Sequence, residues 1–281
     1  SLMRLLEARG VLDWIVHRLA PLLKPIGLTG LGVFAALQIS FVSFAAPVAT
    51  LTMMEQRGAS DRHIAATLAM VMAMAQANVM IPMTAMGLDF GTTLGLSLLG
   101  GLLAAAATYY LFGRNLSAEE GVLDETLHHA VVNSGKGVLD VINRAGAEAF
   151  KIAVGSIPML VLALVIVMAL RSTGAIDALT RGLAPFMAML HWDPAMILPT
   201  LTKYIAGGTA MMGVMDEMLR NGAATVATLN HGAGFLIHPL DLAGVAVLVS
   251  AGRRVAGVWR PAVLGAAVGI AVRTVGHALF T

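Results

Sequence analysis

Cysteine is absent from the 281 residues. No disulfide framework, thiolate metal site or thiol nucleophile is therefore available. Charge is nearly as scarce: Asp, Glu, Lys and Arg make up 12% of the chain, against about 25% in a soluble domain. The deficit runs the whole length, which excludes a soluble body carried on one anchor. A net charge of +2 excludes a nucleic-acid surface. No metal-ligand spacing and no nucleophile–base pair stands out, so no metal, no cofactor and no enzymatic activity is expected.

What is present is apolar: 58% hydrophobic residues, with 30 Gly and 18 Met. Gly is favoured where membrane helices pack closely. A spanning helix needs about 20 mostly apolar residues. Residues 64–86, 90–112, 147–170 and 263–279 meet that test. Residues 2–23 do not, because Arg4, Arg9, Asp13 and Arg18 alternate with Leu5, Leu12, Ile15, Leu19 and Leu22. That pattern predicts an amphipathic helix lying in the membrane interface, and residues 174–190 repeat it. Residues 29–54 and 194–219 are apolar but broken. The first is interrupted by a stretch from Ser40 to Pro47, the second by Gly207-Gly208-Thr209. Each is either a kinked span or a re-entrant hairpin. Residues 223–250 are a span interrupted by Asn230-His231-Gly232-Ala233-Gly234 and by His238-Pro239.

The chain repeats itself. Gly10, Asp13, Leu19, Ala20 and Pro21 recur as Gly174, Asp177, Leu183, Ala184 and Pro185, an offset of 164. The same offset pairs Met54 with Met218, Gly58 with Gly222 and Ala59 with Ala223. Agreement of Asp, Pro and Gly in order points to duplication rather than chance. Positive charge then orients the halves. If the broken segments are hairpins, Arg171, Arg181 and Arg220 face one side, and Lys203 and Arg273 lie within the membrane. Every other Lys and Arg faces the opposite side. Full crossings would dilute that asymmetry. The expected fold is an all-α polytopic membrane protein of two inverted repeats (1–113 and 174–281) around a polar linker and joining helix (114–173). Each repeat is an amphipathic helix, a re-entrant hairpin, a broken span and a full span. The expected location is the cytoplasmic (inner) membrane, with the N-terminus cytoplasmic.

This order of elements resembles the core of the concentrative nucleoside transporters and the wider nucleoside-recognition, or Gate-domain, proteins. The resemblance implies transport of a small polar solute, nucleoside or base, by an elevator or rocking motion. Its motifs are not all matched. Where the transporters carry a Gly-Gln-Thr-Glu-like cluster at the first hairpin, this chain has residues 40–47 and no carboxylate. At the second hairpin it has Lys203 and Gly207-Gly208-Thr209 in place of an acidic motif. In those transporters helices outside the core form a fixed scaffold. The joining helix at 147–170 is therefore expected to mediate a homo-oligomer or a contact with a second membrane subunit.

Ionisable groups at membrane depth cost about 2.5–3.5 kcal/mol each on insertion scales and default to functional candidates. Lys203 stands near the tip of the second broken segment, as an anion or proton site, or else as a lysine that snorkels or pairs with Asp216 or Glu217. His231, His238 and Asp241 share one interrupted span and are candidates for proton or ion coupling with Lys203. Two histidines bonded to backbone across a helix pair are the plainer reading. Gln76 and Asn78 occupy the equivalent span of the first half, as solute ligands or as amides tying helices together. Ser40, Ser43, Thr209 and Asn230 complete the expected solute site, at which residues 40–46, 76–78, 207–209 and 230–231 are predicted to meet. Arg273 and His277 are expected to reach the interface from the end of the last span. The alternative function is an accessory subunit of a membrane complex that transports nothing alone.

Overall fold

The computed structural model describes residues 11–119 and 193–281, with isolated positions between 165 and 185. The expected joining helix and most of residues 174–190 lie outside the described residues. Among the described residues there is helix and no strand.

Helix α1 (Val11–Leu23) ends in a 3-10 turn (Lys24–Ile26) and bends by 107° into α2 (Gly30–Phe41). Pro25 supplies no backbone N–H to continue the helix. Gly27 then takes a left-handed φ of 85°, open to glycine without strain. A side chain there would also collide with Tyr109, whose Cδ2 lies 2.3 Å from the place of a Cβ. Trp14 and Leu22 point outward, 67% and 70% exposed, while Val16 packs on Val33 and Phe34. One face against protein and one apolar face outward is the geometry of an interfacial helix.

Helix α2 pairs with α3 (Pro47–Gln56), and the Thr50 hydroxyl donates to Gln38 Oε1 across the two legs at 2.7 Å. Next come α4 (Asp61–Ala73), a break at residues 74–76, α5 (Ala77–Thr84) and α6 (Phe90–Ala107), which runs on through a π-helical turn to Phe112. The second half repeats the order. Helices α7 (Ile197–Ala206) and α8 (Gly208–Arg220) pair; α9 (Val226–Leu236) breaks before α10 (Leu242–Val249); short α11 (Arg253–Gly257) leads to α12 (Trp259–Phe280). Every residue of α4 from Ile64 to Ala73 is buried. A helix apolar on all sides must be surrounded, and α4 forms the axis on which α6 and α12 pack.

Side chains fix which ends share a side of the membrane. Tyr109, at the end of α6, wedges against Gly27 before α2, and Arg62, at the start of α4, donates to the Gly113 and Arg114 carbonyls. Arg254 donates to the Ala59 carbonyl and pairs with Asp61 just after α3. The α2–α3 pair therefore enters and leaves on one side. At the other end, Asn230 in α9 donates to the Gly87 carbonyl between α5 and α6, and Met196, before α7, packs on Gly232. The α7–α8 pair thus opens on the opposite side. Equivalent helices α6 and α12 run antiparallel: Leu96 meets Gly276, Gly100 meets Gly269, and Thr108 meets Gly265. Antiparallel packing of equivalent helices is what two oppositely inserted repeats produce. Three helical segments among the described residues are long and apolar enough to cross a membrane: Asp61–Thr84, Phe90–Phe112 and Trp259–Phe280.

Proline and glycine mark the breaks unevenly. Pro82 sits inside α5, and the first break lies earlier, where Ala75 N–H donates to Ser97 Oγ at 2.7 Å. In the second half α9 runs unbroken through Gly232-Ala233-Gly234. Those glycines serve close packing: a Cβ on Gly234 would stand 2.5 Å from the Arg273 carbonyl oxygen. The interruption falls at the other expected place, residues 237–241, where Pro239 removes a donor.

Candidate functional site

Tips and breaks meet in a chain of contacts. At the first tip, Phe44 N–H donates to Asn78 Oδ1 at 3.2 Å, tying the α2–α3 turn to the first residues of α5. Gln76, at the N-terminus of α5, lies against the second tip. A Cβ on Gly208 would stand 2.2 Å from Gln76 Nε2, so the amide lies directly on the bare backbone of this glycine and a side chain there would push it aside. Gly207, left-handed at φ 86°, faces the second break; a Cβ there would lie 3.8 Å from Asp241 Oδ1. The first tip thus touches the first break, and the second tip touches both breaks.

Gln76 is only 3% exposed, and its side-chain amide makes no hydrogen bond to the described residues. The N-termini of α3, α5 and α8, which open on these contacts, also have no side-chain cap. Orphan N–H groups at a helix start need acceptors, and unwound backbone at membrane depth is tolerated only inside protein or beside a water-filled cavity. Ser40 lies behind the first tip, 1% exposed with an unpartnered hydroxyl; Ser43, 7% exposed, stands in the turn itself. Thr209 follows the second tip in the first turn of α8.

Lys203 does not snorkel and does not reach Asp216 or Glu217. Its Nζ donates to Asp241 Oδ2 at 2.5 Å, with both side chains buried. Asp216 pairs instead with Arg220. Asp241 caps α10, its Oδ1 accepting from Gly244 N at 2.7 Å. One carboxylate therefore holds the start of α10 and the ammonium from α7 together. Tyr204 lies beside this pair, its ring centroid 5.1 Å from Lys203 Nζ. His238 is fully buried one residue before Pro239; its Nδ1 accepts from Leu240 N at 3.1 Å, and its ring lies 6.0 Å from that of Tyr204.

Asn230 and His231 do not join the cluster. Asn230 is tied to the turn before α6, donating to Gly87 and Val226 carbonyls and accepting from Asp89 N at 2.7 Å. His231 is exposed, its Nδ1 2.9 Å from the Ala227 carbonyl. Asp89 caps α6, and hydrogen bonds from the Thr92 hydroxyl and amide hold its carboxyl below the usual carboxylate range.

Arg273 and His277 are buried at 0% exposure rather than reaching the interface. Arg273 donates through Nη1 to the Ala73 carbonyl at 2.5 Å and through Nη2 to the Ile237 carbonyl at 2.9 Å, while its Nε has no acceptor. Ala73 ends α4 and Ile237 follows α9, so one arginine joins both breaks from behind. The signal for this was its depth. Arg273 lies seven residues from the end of α12, about 10 Å at 1.5 Å per residue, too deep for an easy exit to water.

No protein-family model and no curated protein matches the sequence. The fold does match solved structures of the concentrative nucleoside transporter CNTnw. An inward-facing, substrate-bound state aligns with a TM-score of 0.72 at 18% identity, covering 100% of this chain and 73% of that one. A doubly substituted variant in an outward-facing state aligns at 0.72 and 17%, covering 100% and 72%. An intermediate state of a single variant aligns at 0.66 and 17%, covering 99% and 72%. The chain therefore has the fold of this nucleoside transporter, and its two halves form a multi-pass membrane protein.

Proposed function

We propose that this chain is a secondary-transporter-like protein that binds a small polar solute, first among them a nucleoside or nucleobase, where the tips and breaks meet. The observation that carries the reading is the amide of Gln76, without a hydrogen bond among the described residues and buried between a helix N-terminus and the bare backbone of Gly208. An amide offers donor and acceptor side by side, the complement of a base edge, and uncapped helix N-termini suit hydroxyl or carbonyl oxygens. Asn78, Ser43 and Thr209 border the same place. The Lys203–Asp241 pair, with His238 nearby, is the route for proton coupling, because protonating Asp241 on Oδ2 would release the ammonium while Oδ1 goes on capping α10. The fold it shares with CNTnw, a transporter captured in outward-facing and inward-facing states, supports movement of this body across the bilayer. The N-terminus lies on the cytoplasmic side in this reading, by the excess of Lys and Arg there.

Thermal unfolding of the purified protein against nucleosides, bases, amino acids and small anions tests the reading. A ligand at 100 times its dissociation constant stabilises by about 2.7 kcal/mol. A shift with a nucleoside or base is expected, and Gln76→Leu should remove it while leaving the unliganded melting temperature within a few degrees. If no solute shifts the protein, the polar cluster is structural and the chain is an accessory subunit.

A further inference from the structure

Broken helices in transporters leave carbonyls at their C-terminal ends, and coupling cations are commonly held there. In this chain those carbonyls are already taken. Ala73 and Ile237, the acceptors of Arg273, are separated by 164 residues, the offset of the internal repeat. They are the same position in the two halves. A single side chain from α12 thus satisfies the equivalent C-terminal end in each repeat.

The electrostatics balance without a carboxylate. Among the described residues no Asp or Glu pairs with Arg273; the ion pairs there are Lys203–Asp241, Arg220–Asp216 and Arg254–Asp61. A helix C-terminus carries roughly half a negative charge. Two such ends aimed at one point sum to about one, which matches a guanidinium. This is the environment of a desolvated monovalent cation: fully buried, held by two carbonyl dipoles, with no acid paired to it among the described residues.

The packing is also built for this side chain. A Cβ on Gly100 would stand 2.5 Å from Arg273 Cγ, and one on Gly234 would stand 2.5 Å from the Arg273 carbonyl oxygen. Glycine in α6 therefore makes room for the stem of the arginine, and glycine in α9 lets the backbone of α12 come close enough for its head to reach both breaks.

We infer that Arg273 is a resident cation: it occupies the place at the paired breaks where an alkali cation would otherwise sit, so this chain binds its solute without sodium or potassium. The inference deepens the transporter reading and rests on it for its meaning, but not for its measurement. Thermal unfolding of the full chain in sodium, potassium or choline chloride at equal ionic strength should give the same melting temperature. Arg273→Met should lower that temperature, and sodium, potassium or millimolar guanidinium should restore part of it saturably relative to choline. Arg273→Lys keeps the charge and should stay indifferent to the salt, which provides a second arm if the Met variant does not fold. The inference is overturned by saturable stabilisation of the unsubstituted protein by sodium or potassium, by an Arg273→Met protein that no cation restores, or by a Lys variant that becomes cation-dependent. A solute shift that requires sodium would sink this inference and leave the transporter reading standing. Absence of any solute shift would sink that reading and leave the salt comparison unaffected.

Discussion

Lys203 illustrates how a partner changes the meaning of a residue. Read alone, Lys203→Met exchanges one buried charge for an apolar side chain of similar length. With Asp241 Oδ2 at 2.5 Å, the same change strands a carboxylate in the protein interior. Removing one member of a buried pair typically costs about 3–5 kcal/mol, whereas replacing both with neutral groups of similar shape is often neutral. Lys203→Met and Asp241→Leu alone should therefore each destabilise by about that amount. Lys203→Met combined with Asp241→Asn, which keeps an oxygen to cap Gly244, should recover most of it. Unfolding monitored in detergent checks this; additive losses in the double variant would mean that the two side chains are not coupled. Lysine's depth was legible in the sequence. Its partner was not, because Asp241 is 38 residues away and only the α9–α10 break turns its carboxylate toward α7.

At the scale of elements, small residues decide how closely helices approach. Glycines at 100 and 269 let α6 and α12 cross with their backbones in contact: a Cβ on Gly269 would lie 2.3 Å from the Gly100 carbonyl oxygen. Backbone cannot retreat as a side chain can, so Gly269→Ala should cost about 1–3 kcal/mol, the range for overpacking. Gly95 lies on the same α6 with open space around its missing Cβ. Gly95→Ala should be neutral or stabilising by about 0.5–1 kcal/mol. Equal effects of the two substitutions would argue against the antiparallel contact. The composition signalled glycine-mediated packing in general. It did not separate packing glycines from unwinding ones, which is why residues 232–234 were expected to break a helix that in fact runs through them. Proline was ambiguous in the same way: Pro82 is carried inside α5, while Pro239 marks the interruption.

At the scale of the molecule, the helix pairs open on opposite sides, and the absence of cysteine makes this directly testable. Single cysteines at Lys24, before the α2–α3 pair, and Gln56, at its end, should react with an impermeant reagent from one side of the membrane. Cysteines at Asp193 and Asn221, flanking α7–α8, should react only from the other. All four positions are exposed. Opposite labelling of Lys24→Cys and Gln56→Cys would turn the first pair into a crossing span and abolish the inversion. The two interrupted spans and two pairs then converge by necessity, because each unwound group left in hydrocarbon costs several kcal/mol and the breaks relieve that cost only by meeting one another.

The amino-acid sequence by itself determined the solvent, the repeat and the order of elements. Those follow from properties that are local or periodic: scarce charge, runs of apolar residues, and Gly, Asp and Pro recurring at one offset. It also marked the polar positions at the tips and at the first break, since Gln76, Asn78 and Lys203 are conspicuous in apolar surroundings. Tertiary structure alone decided which polar groups are paired. Asn230 is consumed by the Gly87–Asp89 turn, Lys203 by Asp241, and Arg273 by two carbonyls that lie 200 and 36 residues away. A hydrogen bond is a matter of a few tenths of an ångström and a direction. Such geometry exists only once α4, α9 and α12 have packed, and it leaves Gln76 as the amide at the junction without a partner among the described residues.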